Sequence, residues 1–148
     1  MKKYHLIVYA LVIADLILKY IANRFLINDY FIFGDFIGLE LTYNTGIAWG
    51  LFSGHAEYTL ILSLAVLFWL IREIKINEEV NNTFPLYLIL SGALGNIIER
   101  SYGLLIGNNG KVTDFFVLGP IPNFNLADSL ISIGLVYLIY DELRSEKE

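Results

Sequence analysis

Four apolar stretches constrain this chain more than any other feature. The first covers residues 4–25 (YHLIVYALVIADLILKYIANRF), the second 54–71, the third 83–103 and the fourth 121–140 (IPNFNLADSLISIGLVYLIY). A helix rises 1.5 Å per residue, so about 20 apolar residues cross the ~30 Å hydrocarbon core of a bilayer. Composition agrees: 56% of the 148 residues are hydrophobic and 17% are charged, where a soluble domain carries about 25% charged residues. The expectation is one α-helical polytopic membrane domain over residues 1–148, with four transmembrane helices. Four spans use roughly 80 residues, which leaves no room for a soluble catalytic domain. The opening MKK and its apolar run also fit a secretory signal, but Asp15 and Lys19 interrupt that run and no small-x-small cleavage site follows. A retained span is expected.

Short-loop Lys and Arg set the orientation. Lys2, Lys3, Arg72, Lys75, Arg144 and Lys147 fall on one side, against Arg24 and Lys111, with Arg100 near the end of span three. Both termini are therefore expected in the cytoplasm, with residues 26–56 and 101–120 outside. In the first outer loop Ile37, Leu39, Leu41 and Tyr43 alternate with Gly38, Glu40, Thr42 and Asn44. That period of two predicts a half-buried strand. Tyr30, Phe31, Phe33, Phe36 and Trp49 suit a membrane interface. Residues 28–50 are thus read as a small extracytoplasmic β element between spans one and two.

Several functions find no support. The net charge is −5 and no basic tract occurs, so nothing points to nucleic acid. The chain has no cysteine, which excludes disulfides, thiol catalysis and thiolate metal sites. His5 and His55 lie far apart without the H-E-x-x-H spacing of zinc hydrolases. No metal or cofactor is expected.

Charged groups inside spans are costly and default to a functional reading. Asp15 and Lys19 are four apart on one helix face and read as an internal ion pair that holds span one to the bundle. In SGALGN (91–96), Ser91, Gly92, Ala93 and Gly95 allow close helix approach, while Asn96 needs a partner on another helix. Glu99 and Arg100 read either as interface anchors or as members of a polar network. Asn125 and Asp128 are three apart and follow Pro120 and Pro122, so either can cap the fourth helix. Asp114 reads as an ordinary loop aspartate, yet Val112, Phe115, Phe116, Val117 and Leu118 would draw that loop onto the membrane. Under the topology above, Asp114 and Asp128 reach the same outer boundary. Two carboxylates in a partly dry cleft cannot both ionise comfortably, and the pair titrates as a unit. Such a pair suits peptide hydrolysis: one takes a proton from water and the other donates to the carbonyl oxygen.

In chain order, DLILK (15–19), NTGIAWG (44–50), GALGNIIER (92–100), GKVTDFF (110–116) and FNLADS (124–129) form a set that resembles the bacterial lipoprotein signal peptidases, the type II signal peptidase family of aspartic membrane proteases. The resemblance implies cleavage of diacylglyceryl-modified prolipoproteins immediately before the lipidated cysteine, at the outer face of the bacterial cytoplasmic membrane and without a cofactor. It implies catalytic roles for Asp114 and Asp128. It implies substrate-binding or supporting roles for Asn44, Asn96, Arg100 and Asn125, and a structural role for Asp15 and Lys19. Lipid-modified precursors and membrane lipids are the implied partners, and a monomer is expected to suffice. Glu99 stands where the family commonly has aspartate. Ile47, Ala48 and Trp49 replace the family's common Ala-Ala-Phe, and Leu18 stands where Ser or Thr often precedes the lysine. From the residues alone two other classes stay open: a transporter subunit with Asp15, Lys19 and Asn96 along its path, and an assembly protein packed through its glycine face. The outer clustering of the two aspartates favours the enzyme.

Overall fold

The computed structural model describes residues 2–46, 54–77 and 82–145; Ile47, Ala48 and Trp49 lie outside them. Its elements are α1 (Lys2–Phe25), β1 (Tyr30–Phe31), β2 (Ile37–Asn44), α2 (Ala56–Asn77), α3 (Phe84–Leu105), β3 (Val112–Leu118), β4 (Ile121–Phe124) and α4 (Leu126–Ser145).

Helix α3 is the hub and packs on α1, α2 and α4. Small residues make the α3–α4 contact close. A Cβ on Gly92 would collide with the Ala127 carbonyl oxygen, and one on Gly134 would come within 2.8 Å of the Pro85 carbonyl oxygen. The expected glycine face on α3 is therefore real, and α4 answers it with a glycine of its own. Gly92→Ala is expected to push the two helices apart at a cost of ~1–3 kcal/mol. A lower unfolding temperature of the purified chain in detergent checks this; an unchanged one contradicts it. Toward the start of α3, Val8, Leu70, Ile74, Leu86, Tyr87 and Ile89 form an apolar core. Pro85 sits in the first turn of α3, where its missing N–H would have had no helical partner.

Beside this apolar core the bundle buries polar and charged side chains, while its outer surface is apolar. Asp15, Lys19, Ser91, Arg100 and Asn125 are buried, while Ile13, Ile17, Phe68, Trp69, Val136 and Ile139 are exposed. This reverses the pattern of a domain surrounded by water. Within α1, Tyr4–Phe25 is long and apolar enough to cross a membrane, with a mean hydropathy of 1.9. The other three helices are 22, 22 and 20 residues long; α2 holds Glu57, Arg72, Glu73 and Lys75, and α3 holds Glu99 and Arg100.

The β element departs from expectation in three ways. It is not confined to residues 28–50: all four strands form one antiparallel sheet in the order β1-β2-β3-β4. Half of it comes from the chain between α3 and α4. Asp114 is not in a loop but within β3, where β-branched and aromatic neighbours favour a strand; it pairs with Thr42 of β2. Residues 121–124 belong to β4 rather than to a fourth span. Pro122 cannot donate a helical hydrogen bond, and Asn125 then caps a helix that begins at Leu126.

The alternation in β2 does mark a half-buried strand. Ile37, Leu39 and Tyr43 are exposed, while Gly38 is buried and Thr42 and Asn44 are partly buried. The apolar face joins the exposed Phe31, Phe33 and Phe36. Gly119, in the left-handed region at φ +55, turns β3 into β4 and donates its N–H to the Phe36 carbonyl at 2.6 Å. This ties the two hairpins together.

Candidate active site

The start of α4 builds the site. Asn125 is the N-cap, and its Oδ1 accepts the Asp128 N–H at 2.9 Å. In return, Asp128 Oδ2 accepts the Asn125 N–H at 3.2 Å. This reciprocal pair is a capping box, and it fixes the Asp128 side chain to the backbone that carries it. The free amide of Asn125 points the other way, donating to Asp114 Oδ1 at 2.6 Å and to the Thr113 carbonyl at 3.2 Å. Asn125 therefore touches both carboxylates.

A buried chain of contacts locks Asp128 from its other side. Asn96 donates to Asp128 Oδ1 at 2.8 Å and accepts from Lys19 Nζ at 2.8 Å. Accepting from an ammonium fixes which end of the Asn96 amide faces Asp128. Lys19 also meets Asp15 Oδ2 at 2.8 Å and Glu99 Oε2 at 3.2 Å, so three acceptors match its three donors. Asp15 does more than pair with Lys19. Its Oδ1 accepts the Ala127 N–H at 2.8 Å, a donor that α4 leaves without an internal partner. Helix α1 thus caps α4 from outside, and Gly95 makes room: a Cβ there would meet Asp15 Oδ2 at 2.5 Å.

Asp114 is only 3% exposed. Burial, and then the Asp128 charge, push its carboxyl up from 3.8 to about 7, against the pull of the Asn125 hydrogen bond, Lys19 and a hydrogen bond with Asn44. Asn44 is itself set by a turn, its Oδ1 accepting the Gly46 N–H at 2.8 Å. Among the described residues, no group of three or more His, Cys, Asp or Glu is placed to hold a metal ion.

A family model described as signal peptidase (SPase) II matches residues 7–144. The chain belongs to the signal peptidase II family. Membership makes it a protease, a hydrolase of peptide bonds. A lipoprotein signal peptidase from Francisella tularensis subsp. mediasiatica is 34% identical over 160 residues, covering 99% of this chain and 94% of the relative. One from Thermodesulfovibrio yellowstonii is 36% identical over 143 residues, covering 93% and 92%. Among solved structures, a bacterial membrane enzyme determined by the in meso method at 2.3 Å superposes with a TM-score of 0.80 at 27% identity, over 95% of this chain and 87% of that one. A second, at 1.9 Å, gives 0.74 at 30% identity, over 91% and 88%.

In this signal peptidase fold Asp114, Asp128, Asn44, Asn96, Asn125, Asp15 and Lys19 all fall in one connected cluster. Arg100 sits apart from the carboxylates' direct hydrogen bonds. It is buried, and its two terminal nitrogens donate to the Gly110 carbonyl at 3.2 Å and the Gly46 carbonyl at 2.9 Å. It therefore holds the backbone flanking β2 and β3 rather than anchoring at the interface. Glu99 is likewise no interface anchor. Its carboxylate takes the Thr113 hydroxyl at 2.6 Å and the Thr113 N–H at 3.1 Å, which fixes the strand one residue before Asp114. Thr113, Asn23 and Tyr43 were not singled out by the sequence reading. Asn23 donates to Thr113 Oγ1 at 2.7 Å, and Tyr43 donates to Asn23 at 2.8 Å. Asn23 lies four residues after Lys19 on the same helix face, which was the available signal.

Proposed function

We propose that this signal peptidase cleaves diacylglyceryl-modified prolipoproteins immediately before the lipidated cysteine, with Asp114 and Asp128 as its catalytic pair. The observation that carries this reading is the hold of Asn125 on both carboxylates. Asp114, raised to about 7 by burial and the Asp128 charge, supplies a proton to the scissile carbonyl oxygen. Asp128, with N–H donors on both oxygens, takes the proton from the attacking water. As the C–N bond breaks, that proton passes to the leaving amine and the tetrahedral hydroxyl returns its proton to Asp114 as the carbonyl reforms. Asn44, Asn96 and Asn125 orient the carboxylates, Arg100 holds the flanking backbone, and Asp15 and Lys19 support α4. The names of the relatives point to lipoprotein precursors. Acyl chains left in the bilayer supply roughly 0.8 kcal/mol per buried CH₂, a source of selectivity that an unlipidated precursor lacks.

In the same reading all four helices cross the cytoplasmic membrane, both termini are cytoplasmic, and the enzyme works as a monomer. The sheet and the aspartates lie at the outer face. Support comes from the apolar outer surfaces of the helices and the exposed aromatic side of the first hairpin. The buried charges Asp15, Lys19, Arg100 and Asp114 gather at the sheet end; a transport path would need polar groups across the full depth. The test is cleavage by the full chain in nanodiscs of one precursor in lipidated and unlipidated forms. Mass spectrometry is expected to find lipid-dependent cleavage on the N-terminal side of the cysteine. Equal cleavage of the unlipidated form would contradict the substrate assignment.

A further inference from the structure

On the other side of β3 from Asp114 lies a cavity of about 410 Å³, between the C-terminal ends of α1 and α3 and the β2–β3 pair. Neither catalytic aspartate lines it. Its wall includes Asn23, Tyr43, Glu99, Tyr102, Asn108 and Lys111. Two of these carry opposite charge. Glu99 has three contacts, two from Thr113 and one from Lys19. A carboxylate offers about four acceptor sites, and the Glu99 side chain remains 18% exposed, so it can take one more donor. Lys111 Nζ lies 5.7 Å from the Tyr43 ring centroid and has no carboxylate partner among the described residues. At the cavity's edge, Tyr43, Tyr102 and Ile106 stand 51%, 62% and 56% exposed, an apolar rim unsuited to water.

One ligand chemistry satisfies all three features: a primary ammonium for Glu99, a phosphate for Lys111 and hydrocarbon for the rim. We propose that this cavity is a second binding site, separate from the aspartate pair, for a phosphoethanolamine headgroup carried by a membrane lipid. Lysine binds phosphate as a point charge. Glu99 disfavours a headgroup that is only anionic and rewards one that brings an N–H donor, which a choline headgroup lacks. The volume lies within the ~300–1,000 Å³ of small-molecule sites. The rim favours a lipid over a soluble ligand, since a free headgroup gains nothing from it.

The test uses the full chain in nanodiscs of equal parts phosphoethanolamine, phosphoglycerol and phosphocholine lipids with identical acyl chains. Lipids retained after ejection are counted by native mass spectrometry. The phosphoethanolamine lipid is expected to be enriched over both others. Lys111→Gln is expected to weaken its retention about tenfold, the loss of one charge-assisted contact, while Lys111→Arg keeps most of it. Unfolding temperatures in pure phosphocholine discs, equal for all three proteins, would confirm that the variants are folded. No enrichment, or enrichment untouched in folded Lys111→Gln, overturns the site. Equal retention of phosphoglycerol lipid overturns the role of the ammonium. Displacement by an equal concentration of soluble glycerophosphoethanolamine overturns the lipid as source. No step depends on peptide cleavage, so failure here is distinct from failure of the peptidase reading.

Discussion

Asp114→Asn is expected to unfold at a higher temperature than the wild-type chain at pH 8 and to lose most of that advantage near pH 4. Burial, then the Asp128 charge, raise the Asp114 carboxyl from 3.8 to about 7 in the folded protein. Between those two values the unfolded chain binds fewer protons than the folded one. Wild-type stability therefore falls as pH rises: the contribution is fully present below 3.8 and is lost as pH passes about 7. At ~1.36 kcal/mol per unit, the penalty at pH 8 reaches the order of a few kcal/mol. Asparagine carries no charge to desolvate and still accepts from Asn125. Asp128→Asn removes the second cause of the shift, so its stability should start to level off at a lower pH than in the wild type. Thermal unfolding of the three proteins from pH 4 to pH 8 measures this. Parallel curves for wild type and Asp114→Asn would mean that Asp114 titrates as an ordinary carboxylate.

Lys19→Met is expected to destabilise the protein by ~3–5 kcal/mol, because it leaves the carboxylate of Asp15 buried and unpaired. Adding Asp15→Asn should recover most of this loss. The amide can still accept the Ala127 N–H that Asp15 accepts at 2.8 Å, and it leaves no bare charge. Activity should not return with stability. Asn96 would have lost the ammonium that orients its amide toward Asp128, so kcat should stay depressed while KM changes little. Chemical unfolding and steady-state cleavage of single and double variants separate the two effects. Recovery of kcat in the double variant would reduce Lys19 to a structural ion pair.

The helices were legible because apolar length and small-residue spacing are local signals. Gly92 and Gly95 announced a close helix contact, and Asp15 and Lys19 announced their pairing. The sheet was only half legible. Residues 112–118 form a strand by pairing with β2, a partner some seventy positions away, and no local pattern states that; β4 then pairs with β3 as a hairpin. The alternation in β2 gave the strand but not which face turns inward, since an interface can accept the apolar side. Asp128 was readable as a cap or as a reactive group; the capping box shows the first and leaves its Oδ1 facing Asn96. Glu99 and Arg100 read equally as anchors or as members of a polar network, and the structure shows the network; burial at a helix end depends on the strands that cover it. The link from Glu99 through Thr113 to Asn23 and Tyr43 joins four elements and has no sequence signature beyond the face shared by Lys19 and Asn23.

The most direct measurement is the single-turnover rate of cleavage of a diacylglyceryl-modified prolipoprotein by the wild-type chain and by folded Asp114→Asn and Asp128→Asn in nanodiscs. A catalytic pair predicts that each substitution lowers the rate by ~10²–10⁴, with bound substrate still detectable in both variants. Either variant cleaving at close to the wild-type rate would contradict the pair.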